Sequence, residues 1–447
     1  MDLIRRGSRL LGRQASSSTK KQRIVIIGSG WAGFTFLQRL DARQYEVFVI
    51  SPRSYFVFTP LLAGTAVGTL EFRCALESVR ATRKCHFHEA WAESIDFDKR
   101  EVTCSDAMKA VGDARTFAVP YDQLILAPGS YSNTFDIPGV HEHAHFLKSV
   151  EDARRIRNRV LACFEQASSP TTTAEERARL LTFCIVGGGP TGVEFAAELH
   201  DLVAKNLNKL YPDLAHLVKI EIFDIAESIL VSFDKKLASY AQARFARDGI
   251  KVHTKQSPKR VLADRLVFTE DPKDAVGDLQ DKPYGMLVWS TGLMASPLVQ
   301  LLGKEGLIDV DDKTHALLTN GQLQVLHNGL PRKEVYALGD CATIQGQILP
   351  ATAQVASQKG QYLASILNTR KIADFKFVYR GSMAFLGGGA AIVDASQAKN
   401  GPRISGRVAY IMWKTAYLTM TVSWRNKVLI PTYWLLNAIF GRDINRF

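Results

Sequence analysis

From residue 23 the chain alternates short, almost wholly apolar runs with longer stretches in which apolar residues recur every three or four positions. That pattern predicts buried strands linked by amphipathic helices. The first run, Arg23-Ile-Val-Ile-Ile27, enters Gly28-Ser-Gly-Trp-Ala-Gly33 directly, and Tyr45-Glu-Val-Phe-Val-Ile50 follows. This reads as strand, tight turn, helix and strand. The pattern returns downstream: Leu181-Thr-Phe-Cys-Ile-Val186 runs into Gly187-Gly-Gly-Pro-Thr-Gly192, and Lys219-Ile-Glu-Ile-Phe-Asp224 closes the unit. More chain lies between Thr191 and Lys219 than one crossover helix needs, so the helix is expected to extend, or be followed by another, through Leu210 and Tyr211-Pro212. Arg115 to Gly129 predicts strand, turn, strand, and Leu287-Val-Trp-Ser-Thr-Gly292 and Glu334-Val-Tyr-Ala-Leu-Gly-Asp340 also predict strand ends bearing glycine. Beyond residue 376 the pattern gives way to Gly387-Gly-Gly389 and an aromatic, basic tail, which predicts a separate C-terminal module.

Glycine-rich turns between a strand and a helix suit dinucleotides, because only glycine lets backbone N–H groups approach a pyrophosphate closely. Gly28, Gly30 and Gly33 meet that need, as do Gly187, Gly189 and Gly192. Two such turns in one chain predict two nucleotides bound together, a donor and an acceptor. The residue ending the second strand of each unit sorts them, since a carboxylate there accepts ribose hydroxyls and repels a 2′-phosphate. Asp224 fills that place in the second unit and favours NADH over NADPH, whereas the first unit has Ser51.

The formal charge of +12 raises nucleic acid as a partner, but it is confined to the ends. Residues 1–23 and 401–447 each hold seven basic residues against one acid, leaving 24–400 neutral, so no basic domain exists to bind nucleic acid. The leading stretch pairs Leu3, Ile4, Leu10 and Leu11 with arginines and runs into serines, as a mitochondrial presequence does. Without a sorting helix behind it, it predicts a protein on the matrix side of the inner membrane rather than in the intermembrane space. The six cysteines are scattered without a CxxC or CxxxxC pair, so no redox couple is expected, and no metal site either. In the tail, Tyr410, Trp413, Tyr417, Trp424, Tyr433, Trp434 and Phe440 mix with Lys414, Arg425 and Lys427, and Pro431 and the charges interrupt every apolar run. Such a tail is too short-winded to span a bilayer and is expected to lie in its interface as amphipathic helices, the alternative being a helix packed on the body or on a dimer partner.

Several segments carry a family resemblance. Ser51-Pro-Arg-Ser-Tyr-Phe-Val-Phe-Thr-Pro-Leu-Leu62, Gly187-Gly-Gly-Pro-Thr-Gly-Val-Glu194, Tyr336-Ala-Leu-Gly-Asp-Cys-Ala342, Ala353-Gln-Val-Ala-Ser-Gln358, Ser423-Trp-Arg-Asn-Lys427 and Phe440-Gly-Arg-Asp-Ile444 resemble the type II, single-subunit NADH:quinone oxidoreductases. The resemblance covers about residues 22–447. It implies an α/β flavoprotein with two Rossmann-like domains: FAD bound by 22–150 and 292–375, NADH by 151–291, and a membrane-anchoring module at 376–447. For FAD it implies Gly28, Gly30, Gly33, Ser51, Arg53, Thr59, Pro60, Gly129, Gly339, Asp340, Ala353 and Gln354. For NADH it implies Gly187, Gly189, Thr191, Gly192, Glu194, Asp224, Thr291 and Gly292. Asp340 would face the FAD ribityl or pyrophosphate region, and on its own chemistry it also reads as a helix N-cap. Glu194 would sit near the nicotinamide or the flavin ring and influence hydride or proton transfer, or else serve as a capping carboxylate. Gln354 and Gln358, four apart on one helical face, match the family's quinone-side pair, and Arg380 is a further candidate to touch quinone. The implied cycle is proton-pump-free: NADH is oxidised, a membrane quinone is reduced, and a homodimer sits on the mitochondrial inner membrane. Two other readings are a flavin reductase with a non-quinone acceptor and a signalling or cell-death flavoprotein.

Overall fold

The computed structural model describes residues 21–108, 115–270, 279–397 and 401–445. The expected presequence, residues 1–21, lies outside them except for its last residue.

Two sheets organise the body. In a ten-stranded sheet, Gln22–Ile27 pairs in parallel with Tyr45–Ser51 on one side, Ile27 opposite Ile50, and with Gln123–Leu126 on the other, Ile27 opposite Leu126. Leu330–Ala337 extends it beside Gln123–Leu126. The second sheet has five strands, all parallel, with Thr182–Val186 between Met286–Trp289 and Lys219–Phe223. All five residues of Thr182–Val186 are buried, which is why the run carries no alternation of apolar and polar positions. In each sheet the strand that feeds a glycine turn sits between its successor and a later strand. A crevice therefore opens at its carboxyl end, the place where such sheets bind ligands. The paired strands Ser130–Ser132 and Leu293–Ala295 mark the chain's two passages between the sheets.

The helices follow the sequence pattern with one unforeseen detail. Pro190–Leu202 does continue, first through a π-helical turn at Val203–Leu207 and then through Asn208–Leu210 and Pro212–Ala215. Trp31–Arg39 lies against Ala353–Thr369 at Gly360, where an added Cβ would fall 2.6 Å from the Ala32 carbonyl oxygen. Only glycine permits that approach.

The segment beyond 376 has its own antiparallel sheet, Ser382–Phe385, Ala391–Asp394 and Arg403–Gly406, followed by helices Arg407–Met420 and Trp424–Phe440. It is nonetheless part of the body. Phe385, Ile392, Ala409 and Trp413 pack in one core with Phe195, Phe233 and Phe245 of the second unit. Polar clasps hold the last helix at both ends: Asn426 Nδ2 donates to Glu77 Oε1 at 2.9 Å, and Asn437 Nδ2 to the Thr69 carbonyl at 2.7 Å. The tail aromatics therefore divide between the body and the surface. Trp413 is 6% exposed and Tyr417 is half-buried against the same core, while Trp424 and Phe440 stay 81% and 79% exposed. Among the described residues no helix is long and apolar enough to cross a membrane.

Candidate active site

The two glycine turns are built alike. Gly28 has φ +104°, and an added Cβ would fall 2.1 Å from the Ala127 carbonyl oxygen; a Cβ on Gly33 would fall 2.2 Å from that of Gly28. Gly192 stands in the same relation to Gly187, at 2.0 Å. These glycines are set by packing within the turn. Gly30 and Gly189 differ, since an added Cβ at either would meet nothing within 4 Å. Both are N-caps of their helices without a side-chain cap, so the first N–H groups of Trp31–Arg39 and Pro190–Leu202 face an open cradle. A pyrophosphate fits each, and the residues present suit FAD in the first unit and NADH in the second.

Around the first cradle, the Ser51 hydroxyl is buried at 2.9 Å from Ser29 Oγ and accepts the Arg53 N–H at 3.3 Å, so it fixes the loop beside the turn. Gly339 and Asp340 form the single turn that ends Leu330–Ala337, and Ser130 Oγ, next to Gly129, donates to Asp340 Oδ2 at 3.2 Å. Asp340 thus faces the ligand side of the sheet; it caps no helix. Around the second cradle, Asp224 Oδ2 accepts the Gly188 N–H at 2.5 Å and Oδ1 the Ala226 N–H at 2.7 Å. One carboxylate locks the glycine turn and keeps further lone pairs for a ribose. Thr291 and Gly292 lie at the return passage, where a Cβ on Gly292 would meet the Asn133 carbonyl at 2.7 Å.

A cavity of about 1410 Å³ joins the two units. Its wall brings together Thr59, Pro60, Thr191, Glu194, Ala353, Gln354, Gln358 and Arg380, along with the tail's Tyr417. Thr59 Oγ1 accepts the Trp31 indole N–H at 3.0 Å. The glutamines do more than line it. Gln354 donates to the Gly381 carbonyl at 3.2 Å and accepts the Arg380 N–H at 2.8 Å; Gln358 donates to the Val378 carbonyl at 2.8 Å and accepts its N–H at 3.0 Å. Each amide acts as a section of strand for residues 378–381, a strap that closes one side of the cavity.

Glu194 is 7% exposed and sits where this cavity meets a smaller one of about 500 Å³ beneath the tail. Its Oε1 accepts two donors, the Phe385 N–H at 3.0 Å and the Trp413 indole N–H at 3.1 Å. It is therefore no cap of its own helix. Burial pushes its pKa up to about 8 against the pull of those donors, with Glu198 adding to the rise. Four residues on, Glu198 is equally enclosed and raised by burial, but the Arg442 guanidinium at 3.0 Å and the Thr69 hydroxyl at 2.6 Å draw it back. Phe385, Trp413, Arg442 and Lys148 were not foreseen from the sequence. Arg442 did have a signal, the Phe440-Gly-Arg-Asp-Ile444 run that carries the family resemblance.

Two nucleotide cradles facing one cavity define the class: residues 22–360 match the family model described as pyridine nucleotide-disulphide oxidoreductase. All six thiols are unpaired, and burial pushes Cys74 up to about 11 and Cys341 up to about 12. Residues 379–443 match the NDH2 C-terminal domain. A probable NADH dehydrogenase of Dictyostelium discoideum is 38% identical over 438 residues, covering 96% of this chain and 92% of that one. The mitochondrial internal alternative NAD(P)H-ubiquinone oxidoreductase A1 of Solanum tuberosum is 36% identical, with 98% and 90% covered. The solved structure of NDH2 from Plasmodium falciparum in complex with NADH superposes with a TM-score of 0.87 at 26% identity, covering 95% of this chain and 100% of that one. The chain belongs to the type II NADH:quinone oxidoreductase family.

Proposed function

We propose that this protein oxidises NADH and reduces a membrane quinone through bound FAD, without pumping protons. The observation that carries the reading is the single cavity whose wall runs from the second glycine helix, at Thr191 and Glu194, to the Gln354–Gln358 face and the tail. Bound FAD supplies the hydride acceptor for NADH and the reductant for quinone. The chain's own residues do the rest. The two cradles hold the pyrophosphates, the strap at 378–381 narrows the quinone side, and Glu194 holds a proton at neutral pH beside the space where quinone oxygens must gain one. The absence of a cysteine pair argues against disulfide chemistry, and nothing in the cavity favours a signalling role.

Its seat follows from the tail. Trp424, Val428, Leu435 and Ile439 are exposed on one face of the last helix, with Arg425 and Lys427 beside them, which suits an apolar strip in the headgroup region of the mitochondrial inner membrane. We place it on the matrix side, as a homodimer; protease protection in intact mitochondria and sedimentation in detergent read these two points. The activity is tested by bleaching the purified flavoprotein anaerobically with NADH and then adding a short-chain quinone. Fast recovery of flavin absorbance is the expected outcome. Bleaching without recovery would remove quinone as the acceptor.

A further inference from the structure

Lys148 links the two units through an ammonium that forms no ion pair among the described residues. Its backbone is fixed by the helix it precedes: Asp152 Oδ2 accepts the Lys148 N–H at 3.1 Å and the Ser149 N–H at 2.9 Å, while Ser149 Oγ caps Asp152 at 3.1 Å. Just before it, His145–Phe146 pairs with Val288 and Trp289 of the second sheet. The main chain at 148 thus belongs to the second unit. The side chain reaches into the first, where Nζ lies 3.1 Å from the Ser130 carbonyl and 3.5 Å from Ser130 Oγ, the hydroxyl that donates to Asp340.

An ammonium has three donors and is costly to bury without an anion or a full set of acceptors. Among the described residues no carboxylate forms an ion pair with Lys148, and its hydrogen bonds go to one neutral residue. Burial and the charge of Arg53 press its proton affinity down, and Asp340 restores part of it. Ser130 joins the ammonium to Asp340, and Arg53 is near enough to act on its charge.

We propose that Lys148 is a cofactor-binding residue that directs its spare donors at the ribityl–pyrophosphate oxygens of FAD, so that the flavin bridges the two dinucleotide units. The proposal rests on FAD occupying the first unit. The bridge has a fixed anchor, because the Asp152 carboxylate holds the lysine's backbone N–H while Ser130 holds its ammonium.

The test uses the full chain in detergent with Lys148→Met and Lys148→Arg. Flavin content is measured as purified, the FAD dissociation constant by titrating deflavinated protein, and the flavin midpoint potential by dye equilibration. Lys148→Met is expected to weaken FAD binding by about tenfold or more, the loss of one charge-assisted hydrogen bond, and to make the flavin harder to reduce. Lys148→Arg is expected to keep both near the parent values. If circular dichroism shows Lys148→Met misfolded, Lys148→Gln, which keeps donors without the charge, is read by the same criteria. A Met or Gln variant with parental affinity and potential overturns the proposal while leaving the function intact. A parent protein that takes up no FAD overturns the flavin reading itself.

Discussion

Glu194 and Glu198 stand four apart on one helix, equally enclosed, and differ in what meets them: two neutral N–H donors for the first, a guanidinium and a hydroxyl for the second. Environments that set neighbouring carboxylates apart are how one site assigns the proton. Glu194, raised from 4.5 to about 8, binds a proton in the folded state that the unfolded chain has already released above pH 4.5. Its contribution to stability is whole below about pH 4.5 and is lost as pH rises through about 8. Glu194→Gln should therefore flatten the fall in melting temperature across that window, and should slow quinone reduction by about tenfold to a thousandfold with little change in flavin content. A parental melting profile and a parental turnover rate in the variant would refute the assignment. The carboxylate's presence in the site was legible from Gly192-Val-Glu194; its proton was not, because the burial that raises it is completed by the tail, whose Trp413 lies 219 residues away.

Strands and glycine turns were the most legible elements, because runs such as Thr182–Val186 are buried on both faces and their glycines answer to local sterics. The strap at 378–381 was hidden, since it borrows its hydrogen bonds from side chains of Ala353–Thr369 and shows no strand pattern of its own. Gln354 and Gln358 share a face, as their spacing requires, yet their amides are occupied by backbone. Removing Gln358 as Ala deletes two such bonds, each worth about 1 kcal/mol. The Michaelis constant for quinone should rise severalfold while the rate of flavin bleaching by NADH stays at the parental value. Stopped-flow and steady-state kinetics separate the two, and an unchanged quinone constant would exclude the strap from the acceptor side.

Across the whole molecule the tail serves both sides at once, with Trp413 and Arg442 turned into the body and Trp424, Val428, Leu435 and Ile439 turned out. Composition alone predicted interfacial aromatics but not which ones, because aromatic residues suit a core and a lipid surface equally. Deleting the tail would strip both buried glutamates of partners, so exposed positions are the cleaner probe. Replacing Trp424, Val428, Leu435 and Ile439 with Ser should lower affinity for anionic vesicles on the order of 100-fold while short-chain quinone reduction persists. Vesicle sedimentation showing undiminished binding would rule the strip out. The inward half has a consequence for synthesis. Chains emerge N-terminus first and fold as they appear, yet the groups that tame Glu194 and Glu198 reside at 413 and 442 of 447 residues. A nascent chain can therefore wrap both nucleotide cradles before residues 413 and 442 emerge to complete the walls around the two glutamates.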